Sequence, residues 1–222
     1  MKTSIVWFKT DLRLHDNETL IKAIAQSDQI IPVYCFDESH FAETNFGFMK
    51  TGNFRAQFLL ESLVDLDKNL RELGSGLLVL KGKPELEIPK IVQQFKSTKV
   101  FAKREVSYEE KQTEALVQNA LFKLKCELLT FSTSTLYHAE DLPFSIKDIP
   151  DVFTNFRKKT EKDAIIREAF DAPTEIRSPE IPLLFLPSLE ELNLTFTPID
   201  SRAVLPFKGG ETEAIARLNH YF

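Results

Sequence analysis

The chain has 222 residues, enough for one or two domains. Its 43% hydrophobic and 27% charged residues exclude wholesale disorder, and 7 Gly with 11 Pro exclude collagen-like or low-complexity architecture. The net charge of −5 is uneven: residues 1–135 carry 18 basic and 18 acidic side chains, and residues 136–222 carry 10 and 15. Neither part has the basic excess that counterion-driven nucleic-acid binding requires. No apolar stretch reaches the ~18 residues of a membrane helix. Met1-Lys2-Thr3 runs straight into a strand-like segment with no signal-peptide cleavage pattern. Cys35 and Cys126 sit inside apolar runs, which reads as buried thiols in a reducing compartment, the cytoplasm, rather than a disulfide.

The first 135 residues alternate between short apolar runs and helical patterns. Thr3 to Phe8 reads as a strand, followed by a cap at Asp16 and a helix from Asn17 to Gln26 with Leu20, Ile21 and Ile24 on one face. Gln29 to Phe36 reads as a second strand, in which Pro32 must sit where no ladder donor is needed. Phe54, Phe58, Leu63, Leu66, Leu70 and Leu73 recur at helical spacing up to a stop at Gly74. Gly76 to Leu80 is the third strand. Pro84 then opens a helix with Glu85 and Glu87 in its first turn, where the helix dipole favours them. Thr98 to Lys103 is the fourth strand. Ser107 and Glu110 form a capping box for a helix to about Leu124, and Cys126 to Phe131 is the fifth strand. Nearly continuous apolar strands separated by helices imply a Rossmann-like α/β fold, a five-stranded parallel sheet with helices on both faces.

From Thr133 the alternation stops, giving a domain at residues 1–132. Pro143, Pro150, Pro173, Pro179, Pro182, Pro187, Pro198 and Pro206 punctuate a long Pro-rich linker, residues 133–210, interrupted by one helix at about Asp151 to Asp163. Such a long irregular stretch is unusual in a compact domain and reads as a connector lying over something else. Gly209-Gly210-Glu211 starts a last helix carrying Ile215, Leu218, Tyr221 and Phe222. Two readings stand: this helix packs on the sheet domain, or residues 211–222 begin a further domain. On the second, Phe153, Phe156, Tyr221 and Phe222 belong to a bare apolar face that favours self-association.

Several chemistries are excluded by their missing signatures. There is no Gly-x-Gly-x-x-Gly, Asn53-Phe54 replaces the Lys-Ser/Thr of a phosphate loop after Gly52, and four scattered His with two Cys make no metal cluster. What remains is the loop after the first strand, Trp7-Phe8-Lys9-Thr10-Asp11-Leu12-Arg13-Leu14-His15-Asp16-Asn17. Here Asp16 can cap the following helix, and Asp11 and Arg13 can pair.

As a string this loop resembles the opening of the photolyase/cryptochrome family, with Lys9 in place of the usual Arg. Phe46-Gly47-Phe48-Met49-Lys50-Thr51-Gly52, Arg104-Glu105-Val106, Asp141-Leu142-Pro143-Phe144, Pro150 to Arg157 and Phe207-Lys208-Gly209-Gly210-Glu211-Thr212 are similar to the DASH branch of cryptochromes. The resemblance implies an N-terminal light-harvesting (antenna) domain, a wrapping linker, and a helical domain beyond this chain. That further domain holds FAD and meets UV-damaged DNA in blue-light-driven repair of cyclobutane pyrimidine dimers, unless the parent protein only senses light. It also implies an antenna folate, methenyltetrahydrofolate. The chain alone is expected to lack the catalytic FAD domain. The rival reading is a free-standing Rossmann-like nucleotide-binding or interaction domain without photochemistry.

For a strand order 3-2-1-4-5, ligands are expected where the winding reverses, between the first and fourth strands. Lys9, Thr10 and Arg13 follow one of these strands, and Lys103, Arg104 and Glu105 follow the other. A carboxylate accepts paired N–H donors such as those of a pterin. Glu105 has that chemistry, and it matches the acidic residue that contacts the folate in related photolyases. The candidate cofactor-binding residues are therefore Glu105, Lys9, Arg13 and Arg104. Against this stands a plain reading of Glu105 as an exposed charge ahead of the helix cap at Ser107.

Overall fold

A computed structural model of the chain describes residues 2–203 and 207–222; Pro206 of the linker lies outside them. Five strands, β1 (Thr3–Phe8), β2 (Gln29–Phe36), β3 (Leu78–Lys81), β4 (Lys99–Lys103) and β5 (Glu127–Phe131), form one sheet in the order β3-β2-β1-β4-β5. Every neighbouring pair is parallel. The chain winds outward from β1 through β2 to β3, then crosses back to β4 and β5. The reversal lies between β1 and β4, as it must for this strand order. Pro32 is accommodated because β3 pairs with β2 only from Val33 onward, so at Pro32 that edge has no ladder to serve.

Four helices connect the strands: α1 (Glu18–Gln26), α2 (Asn53–Glu72), α3 (Pro84–Phe95) and α4 (Tyr108–Lys123). The period-2 alternation of the strands divides the core into two faces. Val6, Phe8, Ile30, Phe36 and Phe101 pack with Leu20 and Ala23 of α1 and with Leu63, Leu66 and Leu70 of α2. Ile5, Trp7, Ile31, Val33, Val100 and Ala102 pack with Ile88, Ile91 and Val92 of α3 and with Val117 and Leu121 of α4. Burying each such side chain contributes about 1.5–3 kcal/mol, so the two-sided core is the main source of stability.

Two helix starts differ from the sequence reading. Asn17, not Asp16, caps α1: its side-chain oxygen accepts from the Leu20 amide at 3.1 Å. Asp16 is unsuited because it occupies the left-handed region, φ 47°, and turns the chain one residue earlier. Ser107 does stand at the N-cap of α4, but its hydroxyl makes no capping bond. The residue is exposed, at the solvent-facing start of the helix.

Beyond β5 the chain forms short helical turns, then α5 (Phe153–Asp163) and α6 (Glu211–Tyr221). The extended stretch between these helices is tied to the sheet domain. Ile176, Leu192 and Leu194 enter the α1/α2 side of the core, and Ile181 enters the other. The Ile30 amide donates to the Arg177 carbonyl at 2.9 Å, and the Ile176 amide donates to that of Leu73 at 2.8 Å.

Buried polar groups show where this fold is intolerant. The Asp67 carboxylate on α2 accepts from the Leu77 amide at 2.8 Å and from Arg71 at 2.8 Å, fixing the entrance to β3. Asp67→Ala leaves the Leu77 donor without a partner and is expected to cost about 2–3 kcal/mol in a denaturant melt. Cys35 and Cys126 are both free and buried, and burial pushes their thiols up to about 12 and about 11. In the native protein at about pH 8 neither should react with a thiol reagent until the chain unfolds; rapid native labelling would contradict this burial.

Candidate functional site

The candidate site lies at the carboxyl ends of the neighbouring strands β1 and β4, where the winding reverses and ligands bind in folds of this type. Lys9, directly after β1, joins its two walls. Its ammonium donates to the Lys103 carbonyl at 2.9 Å and to the Glu114 carboxylate of α4 at 2.9 Å, and lies 4.4 Å from the centre of the Trp7 ring. Only 11% of the Lys9 side chain is exposed, so these contacts replace the water it has lost. At the same edge, the Lys103 ammonium donates to the Thr10 hydroxyl at 2.6 Å.

Glu105 stands just past β4. Its backbone amide donates to Glu114 at 3.3 Å, so Glu114 holds both Lys9 and the backbone beneath Glu105. The Glu105 carboxylate itself takes no hydrogen bond from any described residue. It is half-buried, and that burial pushes its pKa up. The lysines at 103 and 9 oppose the rise, while Asp11 and Glu110 add to it. A partly desolvated carboxylate with open acceptor sites beside two ammonium groups can receive a ligand presenting adjacent N–H donors. The plain reading of Glu105 as a fully exposed charge does not describe this environment.

The two arginines face elsewhere. Arg13 donates from Nε to the His15 carbonyl at 3.0 Å and from Nη2 to the Asp16 carbonyl at 2.8 Å, which fastens the loop to itself. Its carboxylate neighbour is Asp16, at 4.0 Å, not Asp11. Asp11 is buried and accepts from the Lys9 amide at 3.0 Å, so it shapes the turn instead of pairing with a side chain. Arg104 turns toward β5, donating to the hydroxyl and carbonyl of Thr130 at 3.2 and 3.3 Å. The structure thus brings Lys9 and Glu105 together and directs Arg13 and Arg104 to neighbouring backbone.

Glu114 escaped the sequence reading. One signal was available: on α4 it lies at helical spacing from Val117 and Leu121, a carboxylate in line with the buried stripe. Among the described residues no cluster of three or more His, Cys, Asp or Glu could hold a metal ion, and no helix is long and apolar enough to cross a membrane.

Comparisons with known proteins bear on the family and the fold. The family model for DNA photolyase matches residues 4–177. Cryptochrome DASH of Gloeobacter violaceus is 45% identical over 100% of this chain and 44% of its own length. Cryptochrome DASH of Danio rerio is 42% identical over 100% of the chain and 44% of its length. The crystal structure of the Synechocystis cryptochrome superposes with a TM-score of 0.94 at 44% identity, covering 100% of this chain and 46% of that one. An archaeal photolyase from Sulfolobus tokodaii, solved with two FAD molecules, shares the fold with a TM-score of 0.73 at 24% identity, over 97% of this chain and 46% of its own. The chain therefore spans a little under half the length of these relatives. Proteins of the family bind flavin and a second, antenna chromophore. With the family model matching residues 4–177 and these similarities along the whole chain, the chain belongs to the DNA photolyase family and corresponds to the N-terminal domain of its DASH-type members.

Proposed function

We propose that residues 1–132 harvest blue light through a folate, methenyltetrahydrofolate, seated at the carboxyl edge between β1 and β4. The observation that carries this reading is the half-buried Glu105 carboxylate, which no described donor reaches. Its two oxygens suit the adjacent ring N–H and amino donors of a pterin, and the neighbouring ammonium groups oppose the rise that burial causes in its pKa. When bound, the folate supplies the absorbing chromophore. Glu105 holds its donors, Lys9 fixes the spacing of the two walls, and Glu114 keeps Lys9 in place.

The wider reading follows from the family. Residues 133–210 form a linker, and residues 211–222 open the helical domain that holds FAD. In the parent protein that domain meets UV-damaged DNA and repairs cyclobutane pyrimidine dimers or signals light. No flavin step is assigned to the residues described here. The free, buried thiols support a reducing compartment, the cytoplasm.

Glu105→Gln keeps the side-chain shape but surrenders a charge-assisted acceptor. Titration of methenyltetrahydrofolate into the purified chain should show affinity about 10- to 100-fold weaker than in the parent sequence. Equal affinity in the two proteins overturns the assignment. Because burial raises this pKa, the favourable contribution of the protonated form is present below the ordinary value of 4.5 and is lost as pH rises through the raised one. At neutral pH the ionised group thus weighs against folding, and the Glu105→Gln protein should melt no lower than the parent.

Surface aromatics support self-association of the isolated chain. Phe153, Tyr221 and Phe222 are 72%, 82% and 93% exposed. Phe156 departs from the expected bare face: it is half-buried, 5.6 Å from Phe144 and 6.3 Å from Phe153 between ring centres. Light scattering should detect concentration-dependent association that Phe153→Ser combined with Tyr221→Ser reduces. A strictly monomeric parent chain at high concentration would rule this out.

A further inference from the structure

Glu211, in the first turn of α6, has only 9% of its surface exposed and no role in the site. One oxygen accepts from the Leu14 amide at 2.7 Å, and the other accepts from the His15 amide at 2.9 Å. The second oxygen also lies 3.0 Å from the His15 Nδ1. A single buried carboxylate therefore ties the β1–α1 loop to a helix 197 residues later. Such a group, charge-assisted and screened from water, binds its partners more firmly than a neutral acceptor does.

The start of α6 is held independently on its other side. The Gly209 amide donates to Glu61 of α2 at 2.7 Å, and the Thr212 amide donates to Asp65 of α2 at 3.0 Å. The backbone here lies directly on α2. A Cβ at Gly209 would stand 2.0 Å from the Phe58 carbonyl and 2.6 Å from the Ser62 hydroxyl. Gly210 has φ +108° and would place a Cβ 2.7 Å from that of Asp65. Segment 209–212 can adopt this seat only with glycine at both positions.

We infer that Glu211 is a positioning residue that makes the β1–α1 loop and the α2 seat of α6 one cooperative unit, so that neither opens without the other. The same loop carries Lys9, Asp11 and Arg13. The direction in which α6 leaves the sheet domain is thereby coupled to the edge that forms the candidate site. The inference stands whatever ligand that site takes.

Amide hydrogen exchange resolved by residue on the 222-residue chain tests the coupling. Glu211→Ala should speed exchange at Leu14 and His15 by about 10- to 100-fold and at the bonded amides of α6 by a similar factor, with α1 from Leu20 onward unchanged. Gly209→Ala is the remote variant. It displaces the segment from α2 and touches neither Leu14 nor His15, yet it should speed exchange at both. Parent-like rates at Leu14 and His15 in Gly209→Ala would show that loop and helix open separately and would overturn the inference. So would unchanged α6 exchange in Glu211→Ala, which would reduce the carboxylate to a local cap.

Discussion

The Lys9 ammonium is the contact on which the carboxyl edge of this sheet depends. Burying a lysine costs several kcal/mol unless the lost hydration is replaced. Here the replacement comes from three separate elements: the Lys103 carbonyl ending β4, the Glu114 carboxylate of α4, and the Trp7 ring of β1 itself. Each partner constrains the next. The Glu114 oxygen that accepts from Lys9 also receives the Glu105 amide, while the Glu105 carboxylate takes no hydrogen bond from any described residue. An arginine here would bring a fork of five donors instead of one compact ammonium, and would distribute the same partners differently.

That polar arrangement is possible because both faces of the sheet are already closed. β1 is hydrogen-bonded to β2 on one side and β4 on the other, and its side chains alternate between two apolar layers. With β1 immobile, the loop leaving it has little freedom. Asp11 receives the Lys9 amide, Asn17 donates to the Arg13 carbonyl and caps α1, and Arg13 binds the carbonyls of residues 15 and 16. The arginine that reads as a ligand contact is spent on holding the loop's shape. The irregular second part of the chain joins the same core, because Ile176, Ile181, Leu192 and Leu194 have apolar surface to bury and the edges of both layers accept it.

Carboxylates recur as the fasteners of this molecule. Asp67, Glu114 and Glu211 each accept from a backbone amide of another element or loop, and each sits at the border between core and solvent. The neutral 18-to-18 balance of residues 1–135 conceals this use of charge. What separates Glu105 from these groups is that no described donor satisfies its carboxylate.

The strands and helices were legible in the sequence because hydrophobic period and turn chemistry are local. β1 and β2 span the same residues in the sequence reading and in the structure, whereas the strand order, supposed in the sequence reading, is decided by the tertiary pairing. Local rivals were harder: Asp16 and Asn17 both suit a helix cap, and only the left-handed turn at Asp16 settles which one serves. The motifs proposed Glu105, Lys9, Arg13 and Arg104 as site residues. They could not show that Arg13 and Arg104 bind backbone, because that depends on where neighbouring carbonyls come to rest. Glu114 and Glu211 act across 105 and 197 residues. A residue's type and spacing determine what it can bond, but only the folded sheet decides which donor reaches it.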